Sequence, residues 1–260
     1  MESIIGIYIF ILGLLIGSFL NVCIYRIPRG ESISYPPSHC TSCGSRIKPY
    51  DLIPVISWIF LRGKCRNCGE KISIRYALVE LTTAVFFILT YFQYGYSIYL
   101  AKYLILIPFL IVIAMIDYDT MEVYTTTTWL AIAIGIISLG VNFYLGEPVI
   151  DYIYGGGLGA GIITFIILMS KLILGTEGMG WGDVEICGLC GLFLGFKLTF
   201  VMIFFSFIIG GVIGVYLLKV KKKKGRSEMA FGPSIIMATL VMIIWGDKIL
   251  NWYLGTFYKY

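Results

Sequence analysis

The stretch IYLAKYLILIPFLIVIAMID, residues 98–117, carries only two charged residues, Lys102 and the aspartate Asp117 on which it ends. An apolar run of about 20 residues is long enough for a helix to cross the hydrocarbon core of a bilayer. The run does not alternate between apolar and polar residues, as a membrane-spanning strand would. It therefore predicts a transmembrane helix with a carboxyl group at the membrane boundary.

The same pattern recurs along the whole chain. Of its 260 residues, 58% are hydrophobic and 13% are charged, and the mean hydropathy is +0.88. A soluble domain could not bury that much apolar surface, so we predict an all-α polytopic membrane protein with about eight transmembrane helices. The predicted spans are about 4–25, 77–95, 98–116, 128–146, 153–174, 184–196, 198–218 and 231–250. The sixth is short for a bilayer, and the first lacks the features of a removed signal peptide.

Basic residues set the predicted orientation. Nine of the twenty lysines and arginines lie in 26–76, and six more lie in 219–226. With eight spans these two segments fall on the same face, which the positive-inside rule makes cytosolic. The run Lys221–Lys224 is interpreted as a topology anchor that contacts anionic membrane lipid. No nucleic-acid partner is expected, and the oligomeric state stays open.

A second carboxyl group lies in GMGWGD, residues 178–183, before the sixth span. The span count places Asp117 and Asp183 on the same cytosolic boundary. Ionisable groups at such positions are functional-site candidates, and two that converge can share a proton and activate a water. An N-cap role for Asp183 remains compatible with catalysis. Asp119 and Glu122 are interpreted as capping or solvent-facing residues.

Residues 26–76 form a soluble segment, the cysteine loop, with two Cys-x-x-Cys-Gly knuckles. Cys40, Cys43, Cys65 and Cys68 have the spacing of a four-sulfur structural zinc site, with 21 residues between the knuckles. Disulfides, reduced thiols or an iron site are the alternatives. His39 is interpreted as a surface residue, whereas Cys23, Cys187 and Cys190 are expected to pack as small apolar residues. The predicted domains are 1–25, a first transmembrane helix; 26–76, the zinc loop; and 77–260, a transmembrane core.

Several segments together resemble a known family. They are GSFLNV at 17–22, YRIP at 25–28, the paired knuckles, PVISW at 54–58, IRY at 74–76 with Val79–Glu80, Ile116–Asp117, the 178–183 motif, and FGP at 231–233. In this order the chain resembles bacterial type IV prepilin peptidases, which are bifunctional leader peptidases and N-methyltransferases. The glycine run at 155–161 is interpreted instead as a site of close helix packing.

The resemblance implies that Asp117 and Asp183 are the catalytic pair of a membrane aspartic protease. It also implies cleavage of a short basic leader from type IV prepilins or pseudopilins, and methylation of the new amino terminus by S-adenosyl-L-methionine, with the cysteine loop as host. The chain departs from the family pattern at two places. Val123-Tyr124-Thr125 stands where the family usually has isoleucine-proline followed by Asp or Asn, and Glu185 stands where it usually has lysine. Alternatives are a leader peptidase without methyltransferase activity, or a non-enzymatic membrane transporter or scaffold.

Overall fold

The computed structural model describes residues 2–219 and 229–257. In this part of the chain the regular structure is helical, and pairing between extended segments is limited to two isolated bridges, His39 with Arg46 and Lys64 with Lys71. The helices are α1 Glu2–Arg26, α2 Ile56–Phe60, α3 Arg75–Tyr94, α4 Ile98–Thr120, α5 Thr125–Tyr144, α6 Val149–Leu174, α7 Trp181–Leu194, α8 Phe196–Lys219 and α9 Gly232–Phe257. The predicted all-α membrane fold is confirmed. The basic run Lys221–Lys224, with Arg226, lies outside the described residues.

Eight of these helices correspond to the eight predicted spans. In the described residues, seven are long and apolar enough to cross a bilayer. The remaining one, α7, has 14 residues and is about 21 Å long at 1.5 Å per residue. Helix α7 is followed by its C-cap residue Gly195, whose φ of 78° is not helical and separates α7 from α8. Helix α4 runs on to Thr120, so Asp117 lies within the helix and not after it, because hydropathy marks membrane depth and not the last hydrogen-bonded residue.

The chain divides into two compact units, Met1–Val112 and Ile113–Tyr260. In the first unit α1 and α3 pack closely because two glycines of α1 meet the backbone of α3. A Cβ atom on Gly13 would lie 2.6 Å from the Ala84 Cα, and one on Gly17 would lie 2.6 Å from the Glu80 Cα. The Asn21 side chain adds a hydrogen bond of 3.0 Å to the Tyr76 carbonyl.

Side-chain hydrogen bonds hold the cysteine loop in place. Buried Arg26, at the end of α1, donates hydrogen bonds to the carbonyls of Ser32 and Pro36, at 2.8 and 2.6 Å. Asp51 accepts two hydrogen bonds from Arg66, at 2.8 and 2.6 Å. These bonds compensate for a segment too small to form a hydrophobic core of its own.

In the second unit α7 is the central helix, with α5, α6, α8 and α9 around it. Its contact with α6 is backbone to backbone. A Cβ atom on Gly159 would overlap the Cys187 carbonyl, and one on Gly191 would overlap the Gly155 carbonyl. The interpretation of the glycine run as a packing surface is thus confirmed for Gly155 and Gly159, and small residues at such positions let membrane helices approach closely.

The cysteines of the helices pack as expected. Cys187 and Cys190 have no exposed surface, and Cys23 is 7% exposed. Each is a free, buried thiol, and Cys190 also forms a side-chain hydrogen bond with Thr239.

Candidate active site and four-cysteine cluster

Asp183 lies in the first turn of α7, third after the N-cap residue Gly180. Its Oδ2 atom accepts a hydrogen bond of 3.3 Å from the Gly180 N–H, and its own N–H donates to the Gly180 carbonyl at 3.1 Å. The side chain is buried, with 7% of the residue exposed. An acidic group at this position is stabilised by the positive end of the helix dipole. Asp183 is therefore a third-position residue and not the N-cap that the sequence left open.

Asp117 comes from the last turn of α4 and is 4% exposed. Its carboxyl group accepts a hydrogen bond from the backbone N–H of Gly232, at the start of α9. Its Oδ2 atom is buried and has no hydrogen-bond partner among the described residues. An unpaired buried oxygen is costly to maintain, which is typical of a site kept for chemistry.

The structure places the two predicted aspartates where their charges interact. Within the second unit, Asp117 is the charged group that acts on the Asp183 carboxyl. Both side chains are buried at helix ends, Asp183 at the start of α7 and Asp117 against the start of α9. Two buried carboxyl groups whose charges interact oppose each other's ionisation, so the arrangement favours one shared proton.

Glycines make room for this pair at two places. A Cβ atom on Gly232 would overlap the Asp117 Oδ2 atom, and one on Gly182 would overlap the Val123 side chain. The Gly178 N–H donates to the Ser170 Oγ atom at 2.9 Å, which ties the segment before α7 to α6. In the sequence the FGP motif at 231–233 is only one of the segments that carry the family resemblance. Its contact with Asp117 is a long-range relationship that no local pattern reveals.

The two departures from the family pattern have distinct positions. Val123 packs on Gly182, directly before Asp183, and Tyr124 is the N-cap residue of α5. Glu185 accepts a hydrogen bond from the Trp129 side chain of α5. Residues two apart on a helix do not share a face, so Glu185 is directed away from Asp183. Asp119 and Glu122 are exposed, in agreement with their interpretation as surface residues.

The two cysteine knuckles have the same backbone geometry. In the first, the Cys40 N–H donates to the Ser45 carbonyl and the Gly44 N–H donates to the Cys40 carbonyl, at 2.9 and 2.8 Å. The second repeats these bonds from Cys65 to Glu70 and from Gly69 to Cys65, at 2.8 and 3.0 Å. Gly44 and Gly69 both have positive φ, 69° and 74°, a conformation that glycine adopts without steric cost.

The knuckles bring their four sulfur atoms together, from Cys40, Cys43, Cys65 and Cys68. All four lie within 4.8 Å of one another, and Cys40 and Cys68 are 3.8 Å apart. Four thiolates at 2.3 Å from a tetrahedral ion would be about 3.8 Å apart. Each cysteine is a free thiol, so the cluster could hold a metal ion.

Two thiols of the cluster, those of Cys43 and Cys65, have lowered pKa values, whereas burial and hydrogen bonds with the neighbouring thiols raise the pKa of Cys68. The Ser45 hydroxyl lies 2.9 Å from the Cys43 sulfur, and this hydrogen bond lowers the pKa of Cys43 to about 6. Backbone N–H groups of Cys68 and Asn67 lower the pKa of Cys65. Since the thiolate is the form that binds a metal, both effects favour coordination near neutral pH.

A helical membrane bundle with two adjacent buried carboxyl groups at helix ends is an arrangement typical of membrane aspartic peptidases. Comparison with known families agrees. Residues 11–94 match the bacterial peptidase A24 N-terminal domain, and residues 104–215 match the type IV leader peptidase family. The chain belongs to the type IV leader peptidase family, and is a multi-pass inner-membrane protein.

Curated relatives cover almost the whole chain. Proteins named prepilin leader peptidase/N-methyltransferase include one from Neisseria gonorrhoeae, 35% identical over 94% of this chain and 93% of that protein. One from Bacillus subtilis is 32% identical over 95% of this chain and 96% of its own length. One from Pseudomonas putida is 32% identical over 92% and 90%, respectively. No solved structure matches the chain.

Proposed function

We propose that this protein removes the leader peptide of type IV prepilins or pseudopilins and then methylates the new amino terminus. Membership of the type IV leader peptidase family and the names of the relatives support both activities. The observation that carries the proposal is the convergence of Asp117 and Asp183 as two buried, interacting carboxyl groups.

Asp117 and Asp183 act as the catalytic pair. The ionised member takes a proton from a water, whose oxygen attacks the scissile carbonyl carbon. The protonated member gives its proton to the leaving amine, so the C–N bond breaks and the pair again holds one proton. The hydrogen bonds from Gly232 and Gly180 hold the two carboxyl groups in place.

The four-cysteine cluster holds one structural zinc ion. Four sulfur ligands fill a tetrahedral site, so no position is left for a substrate or a water. A zinc ion held by these four cysteines would join the two knuckles and order the cysteine loop, residues 26–76. We assign methyl transfer to this loop, and S-adenosyl-L-methionine supplies the activated methyl group. Residues 77–260 form the peptidase core.

The active site faces the cytosol. Nine basic residues lie in 26–76 and six in 219–226, and six helices, α3–α8, separate the two segments if short α7 crosses the membrane. The positive-inside rule then makes both segments cytosolic. Asp117 and Asp183 are separated by the two spans α5 and α6, so they lie on one side. The prepilin stem lies among membrane lipids, with the scissile bond at the boundary.

The test of the peptidase is cleavage of a purified prepilin by the full chain in detergent or vesicles. Asp117→Asn and Asp183→Asn should each abolish leader removal while the protein accumulates normally. Asp119→Asn is the matched control, because that residue is exposed two positions from Asp117. Cleavage by either asparagine variant at the rate of the unmodified chain would refute the catalytic pair.

Methyl transfer is measured in the same reaction with a labelled methyl donor. Incorporation into the cleaved prepilin supports the bifunctional enzyme. Cleavage without incorporation identifies a leader peptidase alone. Neither activity, with intact protein, would favour a transporter or scaffold.

A further inference from the structure

Glu80 is a buried carboxyl group that the peptidase reaction does not use. It lies on α3 in the first unit and is 8% exposed. Its Oε2 atom accepts a hydrogen bond of 2.7 Å from the Val55 N–H, and Ser18 of α1 provides a second hydrogen bond. In the described part of the chain, these neutral donors are the groups that act on it, with no lysine or arginine among them. Burying a carboxyl group without a basic partner costs free energy, so packing alone does not account for Glu80.

The residue that Glu80 holds has an unusual backbone. Val55 has φ 61° and ψ −50°, and the Ile56 N–H donates to the Pro54 carbonyl across it. This is a γ-turn with positive φ at its centre, a rare and strained conformation for any residue. A β-branched side chain makes it less favourable still. Such a turn persists only where its surroundings enforce it, and the Val55 N–H at its centre is bound by the Glu80 carboxyl.

The turn leads to the second cysteine knuckle through a short series of contacts. Helix α2 begins directly after Val55, and its Trp58 donates its indole N–H to the Ile72 carbonyl at 3.1 Å. The Ile72 N–H in turn donates to the Gly63 carbonyl at 2.7 Å. Gly63 and Ile72 flank the knuckle that contains Cys65 and Cys68. The position of this knuckle relative to α1 and α3 therefore depends on the conformation of Val55.

We propose that Glu80 is a positioning residue for methyl transfer. It acts through Val55 and fixes the second knuckle on the membrane ends of α1 and α3. The proposal rests on the proposed function, in which the cysteine loop hosts methyl transfer. It distinguishes the two activities, since Glu80 has no part in the aspartate pair and loss of its carboxyl group leaves the peptidase intact.

The experiment compares Glu80→Ala, Val55→Gly and the double variant in the full chain. Glu80→Ala should lower methyl transfer about tenfold or more, because the part-buried Val55 N–H loses its charged partner. Leader cleavage should stay within about twofold of the unmodified rate. Limited proteolysis should cut residues 53–63 faster, which gives a readout that does not depend on activity. Thr83→Val is the matched control, because its buried hydroxyl donates within α3, to the Val79 carbonyl, and not to the Val55 turn.

Val55→Gly provides the decisive rescue. Glycine adopts positive φ without steric cost, so the double variant should recover part of the methyl transfer that Glu80→Ala loses. A double variant no better than Glu80→Ala would overturn the proposal and indicate that Glu80 acts on the reactants directly. Equal loss of cleavage and methyl transfer, or no loss of either, would overturn it as well.

A failure of the proposed function is recognisable separately. If the unmodified chain cleaves prepilin but never methylates it, the assignment of methyl transfer fails, and the role of Glu80 in that reaction fails with it. Limited proteolysis of the unmodified chain, the two single variants and the double variant would still decide whether Glu80 holds the Val55 turn.

Discussion

Gly232 donates its backbone N–H to the Asp117 carboxyl group, and its Cα lies so close to that group that a side chain would displace it. The start of α9 thus both binds Asp117 and limits its position. The Ile186 side chain of α7 borders the same glycine, so there is little space into which the carboxyl group could retreat.

Gly232→Ala should therefore lower the rate of leader cleavage by about 10- to 100-fold, since small displacements of catalytic groups have effects of that size. The measurement is kcat and KM with purified prepilin. Gly211→Ala on α8 is the control, because a Cβ there meets nothing within 4 Å. Equal activity of the two alanine variants would contradict the importance of this contact.

Substitution of Gly159 by alanine should destabilise the protein by about 1–3 kcal/mol, as is usual for overpacking. The new Cβ would overlap the Cys187 carbonyl and force α6 and α7 apart. Gly161→Ala is a matched control on the same helix, because nothing lies within 4 Å of its Cβ position. That change should stabilise the helix by up to about 1 kcal/mol through helix propensity alone. Thermal unfolding in detergent gives both values, and a Tm for Gly159→Ala at or above that of Gly161→Ala would contradict the expectation.

Replacement of Cys40 by serine should lower the zinc content from about one ion per chain toward none, since three sulfur ligands no longer complete the tetrahedral site. Inductively coupled plasma mass spectrometry of the purified chain measures this. Ser42→Ala, between the two cysteines of the same knuckle, should retain the metal. Undiminished zinc in the Cys40→Ser protein would exclude the four-sulfur site.

The Ser45 hydroxyl should control the reactivity of Cys43 in the chelator-treated protein. With a pKa of about 6, most Cys43 is thiolate at pH 7 and reacts rapidly with maleimide. Ser45→Ala removes the largest of the hydrogen bonds that lower this pKa, so the midpoint of the pH–rate profile should move upward and labelling at pH 7 should slow. Peptide mass spectrometry reports labelling at Cys43 itself. An unchanged midpoint would mean that Ser45 is not responsible.

The sequence was most informative where a single local property decides the outcome. Continuous apolar runs predicted the order of the membrane helices, and cysteine spacing predicted the cluster of four sulfur atoms. Counting two spans between Asp117 and Asp183 predicted that they lie on one side. Each inference needs only composition or short-range spacing, which the fold does not modify.

Contacts between distant segments could not be predicted in the same way. The bond from Gly232 to Asp117 joins residues 115 positions apart, and the bond from Val55 to Glu80 joins residues 25 apart. Both depend on which helix faces lie together, which periodicity cannot determine in helices that are apolar on all sides. The third-position geometry of Asp183 depends on the conformation of Gly180, and glycine restricts the backbone too little for that to be read from the sequence.

The direct meeting of the α6 and α7 main chains also restricts how a substrate can enter. Because glycines and carbonyls of the two helices are in direct contact at Gly155, Gly159 and Gly191, we expect α6 and α7 to move together as one rigid unit. We therefore expect room for a prepilin strand to be made on the other side of α7, by movement of the start of α9. A crosslink between α6 and α7 should leave turnover intact, whereas one between α7 and α9 should stop it.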